Sequence, residues 1–222
     1  MAKGVTMKFF SVDGGFYKFI SRFWDMIKLN FCWLICSIPI ITIGVSTIAA
    51  LSVTHKMVED KEGHIVRAFF KAFKQNFKQG MGIGIITLVF LYVVYLDFAL
   101  SSQLMFWILG IISAFLFTIA LIYTYPLLAR YDNTVIRTIR NSMRISMRYF
   151  GRTVFLVLVI AVELFIFRLH YITLIIGVLI GPMCILLTIS GFSMALFHEI
   201  EKNGGAVVVK PEEDSEETEQ EV

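Results

Sequence analysis

The chain has 222 residues, of which 57% are hydrophobic and 17% charged, with a mean hydropathy of +0.76. Soluble domains run at about 45–50% apolar and about 25% charged residues, so a water-soluble globular domain is excluded. The formal net charge is only +3, and no nucleic-acid-binding motif accompanies the arginines, so nucleic acid is not an expected partner.

In chain order, residues 8–28 form an aromatic-rich lead-in. Phe16, Phe19, Ile20, Phe23, Trp24 and Ile27 follow helical spacing, while Lys18, Arg22, Asp25 and Lys28 take another face. This pattern predicts a helix in the membrane interface, with Trp24 at headgroup depth. It runs into the apolar stretch Leu29–Ile38, and then into CSIPIITIGVSTIAAL at 36–51, broken by Pro39 and Gly44. No A-x-A site follows an apolar h-region, so no cleavable signal peptide is expected.

Four further blocks read as spans: Met81–Leu100, Leu104–Ala129, Thr153–Phe167 and Tyr171–Phe197. Runs of this length and polarity mark membrane helices. The last would be about 40 Å long if straight, and Gly181–Pro182 predicts a kink in it. Gly177 and Gly181 form a small-xxx-small pair that lets another helix approach. Two polar connections join the blocks. Residues 55–80 hold a charged turn and then Phe69, Phe70, Phe73 and Phe77 interleaved with Arg67, Lys71, Lys74 and Lys78. Residues 130–152 hold Arg137, Arg140, Arg144 and Arg148 on one helix face, with Ile136, Ile139, Met143, Met147 and Phe150 on another. Beyond residue 200 the chain is acidic, with eight of the 17 acids in 201–222, and is expected to be disordered.

Positive charges set the sides, because cytoplasmic loops are rich in Lys and Arg. The connections 55–80 and 130–152 carry six each, the outer turns only Arg168, and the C-terminal segment two. The N-terminal segment carries five. A single crossing by 29–51 would divide the positive charges 14 to six, whereas a hairpin divides them 19 to one. The hairpin is the favoured reading, with arms Phe16–Ile38 and Thr42–Val58, Pro39 and Gly44 as its turn residues, and one kinked span as the alternative. The second arm offers the small residues Gly44, Ser46, Thr47, Ala49, Ala50 and Ser52 for close packing.

The expected fold is therefore all-α: a polytopic membrane helix bundle of about six membrane helices, the Pro/Gly hairpin first, with both termini inside. The expected regions are an interfacial segment (1–28), a membrane-embedded helical domain (29–200) and the acidic tail (201–222). Cys32, Cys36 and Cys184 lie in apolar blocks and read as small buried hydrophobes. No catalytic motif is present, and neither an enzyme activity, a metal site nor a cofactor is expected. His55, His64, His170 and His198 sit at block ends and read as interface or loop residues.

Intramembrane acids are costly and point to function or to interhelical pairing. Asp97 and Glu163, with Arg168 capping the same side, form the candidate polar cluster. Arg137, Arg140, Arg144 and Arg148 are candidates for docking either anionic lipid or an acidic partner.

Three stretches together resemble the YesL family of bacterial membrane proteins, a family of unknown function. They are CSIPIITIGVSTIAAL, FFKAFKQNFKQG at 69–80 and YPLLARYDNTVIRTIRNSMRISM at 125–147. Pro39, Thr42, Gly44, Ala49, Ala50 and Leu51 fit the family pattern, as do Phe70, Phe73, Asn76 and Phe77. Val45 stands where the family often has Pro. The resemblance implies a multi-pass protein of the bacterial cytoplasmic membrane, often encoded beside carbohydrate ABC transporters. It implies an accessory or regulatory role in sugar uptake, with permease subunits as partners. A stand-alone transporter or a membrane sensor is the alternative. The resemblance supplies no catalytic residues.

Overall fold

The computed structural model describes residues 15–61, 63–100 and 104–203. The 101–103 turn and the acidic tail from 204 lie outside the described residues. The helices are α1 (Gly15–Ser37), α2 (Ile43–Val58), α3 (Ile65–Gln75), α4 (Phe77–Leu100), α5 (Leu104–Ile122), α6 (Thr124–Arg130), α7 (Val135–Arg148), α8 (Phe150–Arg168) and α9 (Tyr171–Lys202). No strand occurs among the described residues, and the architecture is an all-α polytopic membrane bundle.

The first two helices double back. Pro39 disfavours helical backbone at Ile38 and removes a donor, so α1 stops at Ser37 and a single 3-10 turn, Ile40–Thr42, precedes α2. The Thr42 hydroxyl lies 2.6 Å from both Cys36 O and Pro39 O, so its proton serves carbonyls that the broken helix leaves open. Near the tip, Trp33 Nε1 donates to Thr47 Oγ1 at 3.2 Å. At the other end of both helices Arg22 pairs with Asp60. Contacts at both ends of α1 and α2 make 29–51 part of a helical hairpin and not one continuous helix.

Two details differ from the sequence reading. Gly44 is not at the tip. It lies inside α2, where a Cβ would stand 2.6 Å from Gly84 Cα, and a Cβ on Gly80 would stand 2.7 Å from Val45 Cα. Its function is to let α2 cross α4 backbone to backbone. Second, five stretches rather than six are long and apolar enough to span: Ile40–Val58, Phe77–Ala99, Met105–Arg130, Phe150–Arg168 and Thr173–Lys202. The hairpin's first arm falls short because Arg22, Asp25 and Lys28 interrupt α1, which is nonetheless continuous through residue 28.

The least apolar span sits in the middle. α2 packs against α1, α3, α4, α6 and α9, and Val45, Ile48, Ala49, Ala50 and Leu51 are buried. α3 folds back under α2 through Ile65, Phe69 and Ala72. A second cluster joins Tyr123, Leu127, Tyr131, Leu156, Met194 and Phe197 where α6, α8 and α9 meet. Pro182 lies within α9, and the Phe167 ring of α8 lies across Gly177 and Gly181.

Candidate functional site

At one end of the bundle the last turns of α2, α6 and α9 converge on Arg130. Its Nη1 donates to Glu59 Oε1 at 3.0 Å and lies 3.0 Å from Met194 Sδ. Its Nε and Nη2 donate to the two Glu201 oxygens at 3.3 Å, a two-toothed grip. Tyr131, fully buried, donates its hydroxyl to Glu201 Oε1 at 2.6 Å and sets its ring edge-on to Phe197. His198 Nε2 lies 3.5 Å from Glu59 Oε1, and Arg152 pairs with Glu199 at 2.6 Å beside the hub. Arg130, Glu59 and Glu201 are largely buried.

Local sequence explains the convergence. α2 ends in a left-handed residue, Asp60 (φ 55°), with Lys61 N donating back to Lys56 O at 2.9 Å. That closure leaves Glu59 at the foot of the helix. Burial alone would raise the Glu59 pKa, but the Arg130 hydrogen bond and charge, helped by Lys61, outweigh it. The carboxyl is held below its usual range. At Tyr131, burial and the bond to Glu201 both push the hydroxyl pKa up, so it stays a donor.

The sequence-derived candidates separate. Glu163 Oε1 accepts from Thr188 Oγ1 at 2.6 Å, while its Oε2 is buried with no hydrogen-bond partner. Among the described residues no ion pair joins Glu163, Asp97 and Arg168. The Phe167 ring of α8 packs on Gly177 and Gly181 of α9, and Thr188 lies further along the same helix, past Pro182. Arg168 is exposed. Pro39 makes the hairpin turn, as described, and Gly44 the α2–α4 crossing. Arg137, Arg140, Arg144 and Arg148 all stand exposed on α7.

Two polar residues escaped the sequence reading. Asn30, fully buried, donates from Nδ2 toward Val178 O (3.4 Å) and Leu179 O. Pro182 has no N–H to give Val178 O, and Asn30 of α1 donates to this break in the α9 ladder and to the neighbouring carbonyl. The one asparagine within an otherwise apolar run was the available signal. His55 is a correction: it is not an interface residue but buried in α2, and neither ring nitrogen has a hydrogen-bond partner. α2 is the helix that the others pack around, so even its last turn lies within the bundle. His64, His170 and His198 are exposed.

No curated protein and no solved structure matches the chain. Residues 26–98, from α1 through the Pro39 hairpin and the Gly44–Gly84 crossing into α4, match the family model described as "Protein of unknown function, DUF624", which is the family of YesL-like proteins that the sequence resembles.

Proposed function

We propose that the protein is a non-enzymatic accessory subunit or assembly factor for ABC-type carbohydrate uptake. It would sit in the bacterial cytoplasmic membrane with the Arg130 end toward the cytoplasm. The family resemblance and the positive-charge count support this reading. The observation that carries it is the use made of polar side chains within the bundle. Thr54 bonds Ser190 at 2.6 Å, Thr87 bonds Tyr125 at 2.9 Å, Ser52 reaches Ala129 O at 3.2 Å, and Asn30 caps α9. Each ties one helix to another. A solute path is lined instead by polar groups and broken helices that face the solute. A body that turns such groups on itself suits a scaffold.

Affinity capture from native membranes in mild detergent tests this, and permease subunits of a carbohydrate importer are expected to co-purify. Capture that recovers no importer subunit ends the reading. The unpaired Glu163 Oε2 favours the stand-alone transporter. Solute flux into proteoliposomes holding only this protein would establish that alternative.

A further inference from the structure

The two connecting helices at the Arg130 end share one design. α3 buries Ile65, Phe69 and Ala72, exposes Val66 and Phe70, and exposes Arg67, Lys71 and Lys74. α7 buries Thr138, Ser142, Ile145 and Ser146, exposes Ile136, Met143 and Met147, and exposes its four arginines. At ~100° per residue these sets form three rows along each helix, the apolar and basic rows adjoining at about a quarter of a turn and both facing away from the core row. The order core, apolar, basic runs in the same rotational sense on both.

α7 is also fixed in place. Ser142 Oγ donates to Ala120 O at 2.6 Å and Ser146 Oγ to Ile119 O at 2.8 Å. These carbonyls belong to the last turns of α5, which stops before Tyr123 and Pro126. The core row of α7 is thus mostly hydroxyls on backbone. Its apolar residues are left outward, with Ile136 80% and Met147 69% exposed. A helix that docks through hydroxyls and turns its methionines outward is not using them to hold the fold.

We infer that α3 and α7 form a surface for anionic lipid. The exposed apolar rows enter the acyl region, and the basic rows, led by Arg137, Arg140, Arg144 and Arg148, take the headgroup phosphates of anionic phospholipids. Charge complementarity selects the occupant. Arg forks match phosphate oxygens, and a basic row beside an apolar row fits the boundary between headgroups and chains. A soluble acidic protein would satisfy the arginines but would leave Ile136 and Met147 in water.

The test uses the purified full chain in a mild uncharged detergent. It is titrated with dioleoylphosphatidylglycerol, with dioleoylphosphatidylcholine or with inorganic phosphate. Bound lipid is read by native mass spectrometry and Tm by thermal melting. Phosphatidylglycerol is expected to bind and raise Tm, while phosphatidylcholine and phosphate do not. R137Q/R140Q/R144Q/R148Q is expected to weaken phosphatidylglycerol binding about tenfold or more, with Tm unchanged when no lipid is added. Equal responses to both lipids, a full response to phosphate, or a quadruple variant with unaltered lipid affinity would overturn the inference. So would a variant that keeps its lipid but loses importer subunits in affinity capture, since the row would then dock protein.

Discussion

α2 and α5 are both membrane spans, yet they occupy opposite situations. In the most apolar 18-residue stretch of its span (Ile40–Val58) α2 has 67% of its residues buried, against 6% in the corresponding stretch of the span containing α5 (Met105–Arg130). The more hydrophobic of the two is the one left outside. In water, burial follows hydrophobicity because apolar area is driven from solvent. In lipid that drive between helices vanishes, and close backbone approach with hydrogen bonding decides what sits in the centre. α2 holds the centre with Gly44, Ser46, Ala49, Ala50 and Thr54. α5 meets the surroundings with Leu109, Ile111, Ile112 and Leu116.

Filling the α2–α4 crossing should do the most damage. Gly44→Ala places one methyl against Gly84 backbone, and neither helix has a side chain that can move aside. The expected loss is about 3–4 kcal/mol, in the range of severe overpacking and strain, read as a collapse of Tm in detergent. A variant that melts with the parent would show that α2 is not tightly seated.

The foot of α2 comes next. Arg130→Gln leaves Glu59 and Glu201 facing each other without their shared cation, at an expected cost of about 2–3 kcal/mol. The same contact predicts a pH dependence. Glu59 has a lowered pKa in the folded chain, so the unfolded chain takes up its proton first as pH falls. The stabilisation is whole above the ordinary carboxylate range and disappears as pH drops through the lower, folded value. Tm should therefore fall on acidification more in the parent than in Glu59→Gln. Parallel curves for the two would remove Glu59 from the account.

The hairpin and the later spans were legible because they rest on local signals: runs of apolar residues, charge placement and Pro39. The partners of polar groups were not. Asn30 acts on carbonyls 148 and 149 residues away in sequence, and nothing near it in the chain marks Pro182 as its counterpart. Counting from the two outer turns sets Glu163 and Asp97 at a similar depth, but depth does not fix which helices face each other. The hydrogen-bond partner of Glu163 is Thr188 of α9, and among the described residues no ion pair joins it to Asp97 or Arg168. Gly44 was assigned to the turn because a glycine near a proline often bends the chain, while its real demand comes from Gly80 and Gly84 in another helix. His55 shows the same limit, since its burial comes from helices distant in sequence packing around α2.

A smaller effect tests the polar side of α2. Thr54→Val removes the 2.6 Å bond to Ser190 while keeping the shape. Interhelical bonds of this kind are worth about 0.6 kcal/mol on average in a membrane, and the unpaired Ser190 hydroxyl can turn to a backbone carbonyl. The expected loss is about 0.5–1 kcal/mol, with Ser190→Ala alone and the double variant giving the coupling.

The smallest effect is the most diagnostic for α5. Leu116 is 57% exposed on a span that is mostly outward. In a soluble protein Leu→Ala at a core position costs about 2–5 kcal/mol through lost transfer energy and an empty cavity. Neither term applies where acyl chains fill the space beside the helix and are as apolar as leucine. Leu116→Ala should change Tm by less than the equivalent of about 0.5 kcal/mol. The cleanest contrast is Ile48→Ala in α2, at a fully buried side chain, which should show the cavity cost. Were Leu116→Ala to cost as much as Ile48→Ala, the outward face of α5 would have to be covered by protein rather than lipid, and α5 would become the place to look for the importer subunit.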